Sequence, residues 1–234
     1  MNIALIVAAG TGSRMRSVGT PKQFLIVCDK PLFIHTVEKF ESNHNIDYIV
    51  IITSKDYIEK VTLWCKDYKL TKVKRVVLGG DTRQASVYNG LLSLESLVVD
   101  DDDIILIHDA ARPMVSCEII DDNIEACRKY GAVSTVIKSS DTMIRSSGKE
   151  QIEKIENRDE LFHNQTPQTF KYSIIKKAHD YAKNQLDFGA TDDSQLVVKS
   201  GGKVYLVQGS KLNFKVTNND DLKLFESILE SKKY

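Results

Sequence analysis

The sequence predicts an α/β protein built on a doubly wound, mostly parallel sheet of about seven strands, with helices on both faces. Short runs rich in β-branched residues, such as residues 48–53, alternate along the chain with longer stretches of helical periodicity. Glycines and other small residues directly follow several of these runs, as at residues 8–12 and 79–80. Such alternation is typical of parallel strands joined by helices, and small residues at strand ends leave room for a ligand.

The elements follow one another in a regular order. The predicted strands are the apolar runs at residues 3–7, 48–53, 73–78, 104–107, 132–137, 204–207 and 213–217. The predicted helices are the periodic stretches at residues 32–40, 55–68, 117–130, 172–184, 191–200 and 220–232, with one more that begins near Asp81 or Thr82. His35 falls within the first helix, and a helix-face or core role is favoured over a catalytic one because no acid or nucleophile stands beside it. Pro167 indicates that residues 165–170 form an edge or a turn into a strand.

Residues 139–158 interrupt this alternation. Short extended segments flank a polar turn at residues 146–149, which predicts a two-stranded arm. A lone hairpin is marginal in water, so we expect the arm to pack on a second copy of the chain and form a homodimer. No composition shift marks a linker, and we predict a single domain, residues 1–234, from which the arm protrudes.

Composition narrows the class of protein. The chain has 234 residues, 42% hydrophobic and 27% charged, which is ordinary for a globular protein with a large core. Its 32 basic and 32 acidic residues cancel, so charge gives no case for nucleic acid or membrane partners. The first apolar run lacks a basic leader, and no run reaches membrane-spanning length. The four cysteines lack metal-ligand spacing, which favours reduced thiols in a cytoplasmic protein.

The loop after the first strand has residue types that suit a polyphosphate. Gly10 and Gly12 expose backbone N–H groups, and the cations Arg14 and Lys22 follow, with Pro21 stiffening the chain before the lysine. An ordinary strand–turn–helix connection with surface charges is the alternative that this stretch leaves open. The spacing excludes a Gly-x-x-x-x-Gly-Lys-Ser/Thr phosphate loop. It also excludes the Gly-x-Gly-x-x-Gly motif of dinucleotide-binding proteins, because this chain lacks the third glycine.

A second glycine pair, Gly79 and Gly80, ends the strand at residues 73–78. Such a pair gives a ligand close access to the backbone at a strand's carboxyl end. Asp81 or Thr82 also suits a helix N-cap, and the two roles are compatible.

Asp109 and Arg112 follow the strand at residues 104–107. Asp109 suits Mg²⁺ or a substrate hydroxyl, and Arg112 suits a phosphate or a brace for the acid, with a purely structural Asp–Arg pair as the alternative. The acidic run at residues 100–103 is interpreted as a solvated turn, because consecutive side chains point in different directions.

Taken in order, these motifs resemble those of the 2-C-methyl-D-erythritol 4-phosphate cytidylyltransferases and the related ribitol-5-phosphate cytidylyltransferases, whose fold is Rossmann-like. Each motif alone is unspecific, but together they span nearly the whole chain in matching order. The segments are residues 8–15, 21–23, 79–86, 108–113, 141–142, 165–168, 191–192 and 215–217.

The resemblance implies a Mg²⁺-dependent transfer of CMP from CTP to a polyol phosphate, with release of pyrophosphate. The phosphate nucleophile arrives already ionised, so the protein's part is positioning and charge stabilisation. The catalytic residues that the resemblance implies are Arg14, Lys22 and Lys215. The nucleotide-binding residues that it implies are Ala8, Ala9, Gly10, Gly12, Gly80, Asp81 and Ser86. The substrate-binding residues that it implies are Asp109 (also the metal ligand), Arg112, Thr142, Arg158, Thr166 and Thr191. Of these, Thr142 and Arg158 are expected to act across the dimer interface.

The polyol is harder to assign than the reaction. Residues 8–10, 109–112 and 191–193 resemble the erythritol branch, whereas residues 157–158 and 165–170 resemble the ribitol branch as closely. The two substrates differ by one hydroxymethyne, which changes binding modestly unless a polar group is left unpaired. We predict 2-C-methyl-D-erythritol 4-phosphate, with D-ribitol 5-phosphate as the alternative.

Two functions of other classes stay open. A nicotinamide-dependent dehydrogenase would share the doubly wound pattern, but it requires the third glycine that this chain lacks. A nucleotide-sensing module without catalysis would bind CTP and release no pyrophosphate, since a fold does not determine a function.

Overall fold

The computed structural model of the protein describes residues 1–10, 20–97, 100–148, 150–183, 185 and 190–231. In these residues the strands are β1 Asn2–Ala8, β2 Ile26–Val27, β3 Lys30–Pro31, β4 Tyr48–Thr53, β5 Val73–Leu78, β6 Ile104–Asp109, β7 Ala132–Lys138, β8 Ile144–Arg145, β9 Lys154–Ile155, β10 Phe162–Lys171 and β11 Tyr205–Gln208. The α-helices are α1 Leu32–Glu41, α2 Ile58–Asp67, α3 Arg83–Ser93, α4 Cys117–Tyr130, α5 Tyr172–Lys183, α6 Asp193–Lys199 and α7 Asn219–Ser231.

The main sheet determines where a ligand can bind. Within the described residues it has seven strands, in the order β11-β7-β10-β6-β1-β4-β5. All neighbouring pairs are parallel except those of β10, which runs antiparallel to both β6 and β7. The predicted α/β class and mostly parallel, doubly wound sheet are therefore confirmed. The chain runs outward from β1 through β4 to β5 and then returns to β6 on the other side of β1, which creates a switch point at the carboxyl ends of these strands.

Alternation of side chains along the strands builds one core on each face of the sheet. In β1, Ala4 and Ile6 pack with α1, α2 and α4, whereas Ile3 and Leu5 pack with α3, α5 and α6. All four side chains are fully buried, as expected for a central strand covered on both faces. The predicted core role of His35 in α1 is also confirmed: it is buried, and its Nε2 lies 2.9 Å from the carbonyl oxygen of Val27.

Helix α4 shows how closely local signals can define an element. Its side-chain N-cap is Ser116, which accepts a hydrogen bond from Ile119 N, and it ends at Gly131, whose φ of 81° favours glycine. The predicted span of residues 117–130 is therefore confirmed. No helix in the described ranges is long and apolar enough to cross a membrane.

Three expectations were wrong. Residues 165–170 are not at an edge: they belong to β10, inside the sheet, and Pro167 falls in a register shift between Asn164 and Gln168 where the ladder requires no N–H. Residues 213–217 form no strand in the described structure; they are held as irregular chain, for example by the hydrogen bond from Val216 N to Ala111 O. In the acidic run, Asp100, Asp101 and Asp102 are exposed as predicted, but Asp103 is buried and pairs with the amino group of Met1.

The predicted two-stranded arm is present. Strands β8 and β9 pair antiparallel, with Ile144 opposite Ile155 and Arg145 opposite Lys154. The side chains of Ile144, Ile152 and Ile155 are each more than half exposed. The arm therefore presents apolar surface that nothing in the described part of this chain covers.

Candidate active site

The switch point holds a cleft of about 730 Å³ at the carboxyl ends of β1, β5 and β6. Nine residues that the sequence assigned to the site line it: Ala8, Ala9, Gly10, Lys22, Gly80, Asp81, Ser86, Asp109 and Lys215. Their segments lie far apart in the sequence, and the parallel strands bring them to one edge of the sheet. Gly12 and Arg14 lie outside the described residues, so their assignments stay predictions.

The end of β5 is closely packed and depends on its glycines. A Cβ added to Gly79 would lie 2.5 Å from the Cβ of Ala9, and one added to Gly80 would lie 2.5 Å from the Cβ of Ala85. The hydroxyl of Ser86 accepts a hydrogen bond from Gly80 N at 3.1 Å, and Thr82 caps α3 by accepting one from Ala85 N. This strand end is therefore held as a fixed backbone surface that a flat ligand can approach.

Lys22 is placed by the residues that follow it. The side-chain amide of Gln23 is buried and donates to the carbonyl oxygens of Ala8 and Gly10, each at 2.7 Å. The ring of Phe24 stacks on that of Tyr57, with centroids 4.1 Å apart. The ammonium group of Lys22 donates to Val216 O at 2.8 Å. This short segment therefore joins the first loop to the segment that carries Lys215.

Asp109 lies at the centre of a group of cations. Its Oδ2 is 2.8 Å from Lys215 Nζ and 3.6 Å from Arg112 Nε, and its Oδ1 is 3.7 Å from Arg83 Nε. Burial alone would raise the pKa of Asp109, but these three cations outweigh that effect and hold its pKa well below the usual range. A chain with no net charge thus has a local concentration of positive charge in the cleft, which suits an anionic ligand.

A buried amide network fixes the segment that carries Lys215. Asn213 is fully buried and donates to Gln165 Oε1 at 3.2 Å and to Thr166 O at 2.8 Å. The backbone carbonyl oxygen of Asn213 accepts a hydrogen bond from Arg112 Nη1 at 2.8 Å. These bonds replace the strand pairing that the sequence predicted for residues 213–217, and they position the lysine over Asp109.

Thr166 and His108 brace Asp109 from the protein side. The hydroxyl of Thr166 accepts a hydrogen bond from Asp109 N at 3.1 Å and lies 3.1 Å from His108 Nδ1. Burial lowers the pKa of His108 to about 4, so the imidazole is neutral at neutral pH. Because Thr166 is itself buried, the structure indicates that its hydroxyl supports the backbone of β6.

The remaining predicted substrate residues lie apart from this group. Thr142 and Arg158 are exposed residues of the arm segment, and neither lines the cleft among the residues described. Thr191 is exposed just before α6, and its backbone N–H donates to Gln195 Oε1 at 2.8 Å. Within a single chain, the structure does not bring these three residues to the cleft.

Sequence reasoning missed Arg83 and Asp193. Arg83 lines the cleft and pairs with the fully buried Asp193, with Nη2 and Oδ2 2.7 Å apart. Arg83 was detectable, since it is a cation at the first position of α3, three residues after Gly80. Asp193 gave no such signal, because an acid at a helix start is usually a cap or a favourable charge.

The donors in the cleft do not form a ready metal site. No cluster of three or more His, Cys, Asp or Glu side chains that could hold a metal occurs among the described residues. Asp109, the predicted ligand, already faces Lys215 at 2.8 Å. Such a set fits a Mg²⁺ ion that relies mainly on substrate phosphate oxygens and takes few protein ligands.

Comparisons with known proteins agree with this geometry. The family model described as 2-C-methyl-D-erythritol 4-phosphate cytidylyltransferase (IspD) matches residues 2–231. The chain is 41% identical over 229 residues to the 2-C-methyl-D-erythritol 4-phosphate cytidylyltransferase of Clostridium botulinum strain Langeland, covering 98% of this chain and 97% of that protein. It is 36% identical over 232 residues to a ribitol-5-phosphate cytidylyltransferase of Vibrio parahaemolyticus, covering 99% and 97% of the two chains.

Solved structures give the same result. The 4-diphosphocytidyl-2C-methyl-D-erythritol synthase of Anaerococcus prevotii superposes with a TM-score of 0.82 at 29% identity, over 98% of each chain. The 2-C-methyl-D-erythritol 4-phosphate cytidylyltransferase of Thermus thermophilus superposes with a TM-score of 0.77 at 29% identity, over 97% of this chain and 98% of that one.

Proposed function

The chain belongs to the family of 2-C-methyl-D-erythritol 4-phosphate cytidylyltransferases, and we propose that it transfers CMP from CTP to 2-C-methyl-D-erythritol 4-phosphate and releases pyrophosphate. The observation that carries this proposal is the cleft itself. It joins a fixed strand end at Gly80 to a group of cations around Asp109. A nucleotide that spans the two would place its base at the first and its phosphates at the second.

The base end of the cleft supports recognition by the backbone. The bond from Gly80 N to Ser86 Oγ and the tight packing of Gly79 hold the strand end rigid. A rigid edge with Asp81 beside it suits the polar edge of a pyrimidine. On this basis we assign cytosine recognition to Gly80, Asp81 and Ser86.

The phosphate end supports in-line transfer. Lys22 and Lys215 both reach the cleft, and Lys22 is bonded to the chain beside Lys215, at Val216 O. Ammonium groups fixed in this way lose little free energy to reorganisation when charge develops on the α-phosphate and the leaving pyrophosphate. No covalent enzyme intermediate is needed, because the polyol phosphate oxygen is already an anionic nucleophile and the enzyme need only align it.

Mg²⁺ is the proposed cofactor. When bound to the triphosphate it would neutralise charge and orient the phosphates, with Asp109 as the proposed protein ligand. Asp109 is held ionised by its three neighbouring cations, so it can serve such an ion or a polyol hydroxyl without prior deprotonation.

The arm supports a homodimer as the working unit. Its exposed isoleucines would be buried against a second arm, at roughly 25 cal/mol per Å² of apolar surface. Thr142 and Arg158 belong to the same segment, and in a dimer they would act at the partner's cleft. The four cysteines are free, which supports a reducing, cytoplasmic location.

The direct experiment measures pyrophosphate release with CTP and Mg²⁺. Methylerythritol 4-phosphate and ribitol 5-phosphate should be supplied in parallel, because one relative of this chain is a ribitol-5-phosphate cytidylyltransferase. We expect turnover with methylerythritol 4-phosphate, and with CTP in preference to UTP, ATP or GTP. Higher kcat/KM with ribitol 5-phosphate would reverse the choice of polyol, and CTP binding without pyrophosphate release would indicate a nucleotide sensor.

A further inference from the structure

Arg83 connects the cleft to a charge buried behind it. Its Nη2 lies 2.7 Å from Asp193 Oδ2, whereas its Nε lies 3.7 Å from Asp109 Oδ1, beyond hydrogen-bond distance. Lys215 approaches the other oxygen of Asp109 to 2.8 Å. The guanidinium is therefore shared unequally between two carboxylates: it binds Asp193 closely and leaves Asp109 to the lysine.

The protein holds Asp193 rigidly in a dry position. Its carboxylate is fully buried, and His179 of α5, also buried, lies 3.5 Å from Asp193 Oδ1 through Nε2. The backbone N–H of Asp193 donates to the side chain of Gln168, a buried residue of β10, at 2.9 Å. Burial alone would raise the pKa of Asp193, but Arg83 and His179 outweigh that effect and lower it. A buried carboxylate costs free energy unless it is paired, and the cation that pairs with Asp193 is a residue of the cleft.

We propose that Asp193, supported by His179, is a positioning residue for the transfer reaction: it holds Arg83 back from Asp109, so that Lys215 remains the closest partner of Asp109. Without the charge of Asp193, Asp109 is the remaining carboxylate that forms an ion pair with the guanidinium, at 3.7 Å, and Asp192 acts on Arg83 more weakly. The guanidinium would then close on Asp109 and compete with Lys215 for it. Asp193 touches no substrate in this account, and its effect on catalysis passes through Arg83. The inference rests on the proposed transfer reaction.

The test is a double-mutant comparison at saturating CTP. Asp193→Asn keeps the shape and removes the charge, and we expect kcat/KM for the polyol phosphate to fall about 10- to 100-fold, the loss typical of a misplaced catalytic group. We expect Kd for CTP to change by less than about twofold, the scatter of independent sites. Arg83→Gln removes the guanidinium that Asp193 positions, so adding Asp193→Asn to Arg83→Gln should cause no further loss of kcat/KM, whatever Arg83→Gln itself costs. If Asp193→Asn lowered kcat/KM by the same factor with and without Arg83, Asp193 would act independently of Arg83, and that result would overturn the inference.

Asp192→Asn is the matched control. Asp192 caps α6 by accepting a hydrogen bond from Gln195 N at 2.8 Å, and asparagine caps equally well. Asp192 also raises the pKa of Arg83, but less than Asp193 does, so this variant should lose much less kcat/KM than Asp193→Asn. An equal loss in both variants would overturn the specific role of Asp193.

A crystal structure of the Asp193→Asn protein decides the matter without any activity. The distance from Arg83 Nε to Asp109 Oδ1 should shorten from 3.7 Å to hydrogen-bond length. An unmoved Arg83 would overturn the inference. A wild-type chain that releases no pyrophosphate would contradict the proposed function and leave this structural test in force.

Discussion

Replacing Lys215 by methionine should separate catalysis from stability. The variant keeps most of the side chain's length and removes the ammonium group that lies 2.8 Å from Asp109 Oδ2. At an effective dielectric constant of about 20, that pair attracts by about 6 kcal/mol, and each arginine, at 3.6 or 3.7 Å, by about 4.5 kcal/mol. The two arginines thus retain about 9 kcal/mol of gross attraction, so Asp109 should remain ionised and the fold should survive.

The expected losses differ in size. Lys215 is about one-third exposed, and solvent screening reduces its net contribution. Unfolding free energy should fall by about 1.5–3 kcal/mol, the usual contribution of a hydrogen bond to a charged group. Activity should fall further, by about 3–4 kcal/mol or roughly 100- to 1,000-fold in kcat, because a preorganised charge at the α-phosphate is lost.

The assay pairs steady-state pyrophosphate release with urea unfolding. Lys211→Met is the control, because Lys211 is an exposed lysine on the same segment. It should match the wild-type protein in both measurements. If Lys215→Met kept kcat within a few-fold of the wild type, the assigned role of Lys215 would be wrong. If the variant failed to fold, the charge arithmetic around Asp109 would be wrong.

Three further predictions follow from the same site. Lys22→Ala and Arg14→Ala should each lower kcat by about 100- to 1,000-fold while the unfolding transition persists, and near wild-type turnover in either would remove that residue from the mechanism. Burial keeps His108 neutral in the folded protein, with a pKa of about 4, whereas in the unfolded chain the imidazole binds a proton below about pH 6.5. The unfolding free energy should therefore decrease by about 3 kcal/mol between pH 6.5 and 4, which urea unfolding across that range measures. An equal decrease in the His108→Gln variant would contradict this prediction. Mixing Arg158→Ala chains with Lys22→Ala chains should restore pyrophosphate release if Arg158 acts across a dimer, because one cleft of the heterodimer then keeps both residues. If a proven heterodimer showed no restored activity, Arg158 would act in the site of its own chain.

The sequence by itself determined the class of fold and much of the cleft. The spacing of apolar residues and the residues that begin or end a helix or strand are local signals. They therefore located β1, β4, β5 and α4 without any information about contacts distant in sequence. Parallel strands direct their carboxyl ends to one edge, and this rule brought the glycine loops and Asp109 together in advance. The resemblance to the family added Lys215, which no local pattern marked.

Tertiary structure decided what depends on partners distant in sequence. Pro167 is tolerated inside the sheet because β10 pairs with neither β6 nor β7 at residues 165–167, so no hydrogen-bond donor is needed there. No local pattern in the sequence shows this gap in the pairing. Residues 213–217 alternate like a strand, yet they pair with no strand in the described structure. Asn213 instead donates hydrogen bonds from its side-chain amide to Gln165 Oε1 and Thr166 O.

The pairing of Arg83 with Asp193 is of the same kind. The two residues are more than a hundred positions apart, and each alone is interpreted as an ordinary charge at the start of a helix. Burial and distance, which a sequence does not contain, make them an ion pair between a cleft residue and a buried carboxylate behind it. Local propensity and period therefore determined the elements, whereas the electrostatics of the site emerged only when the sheet brought distant charges within a few ångströms.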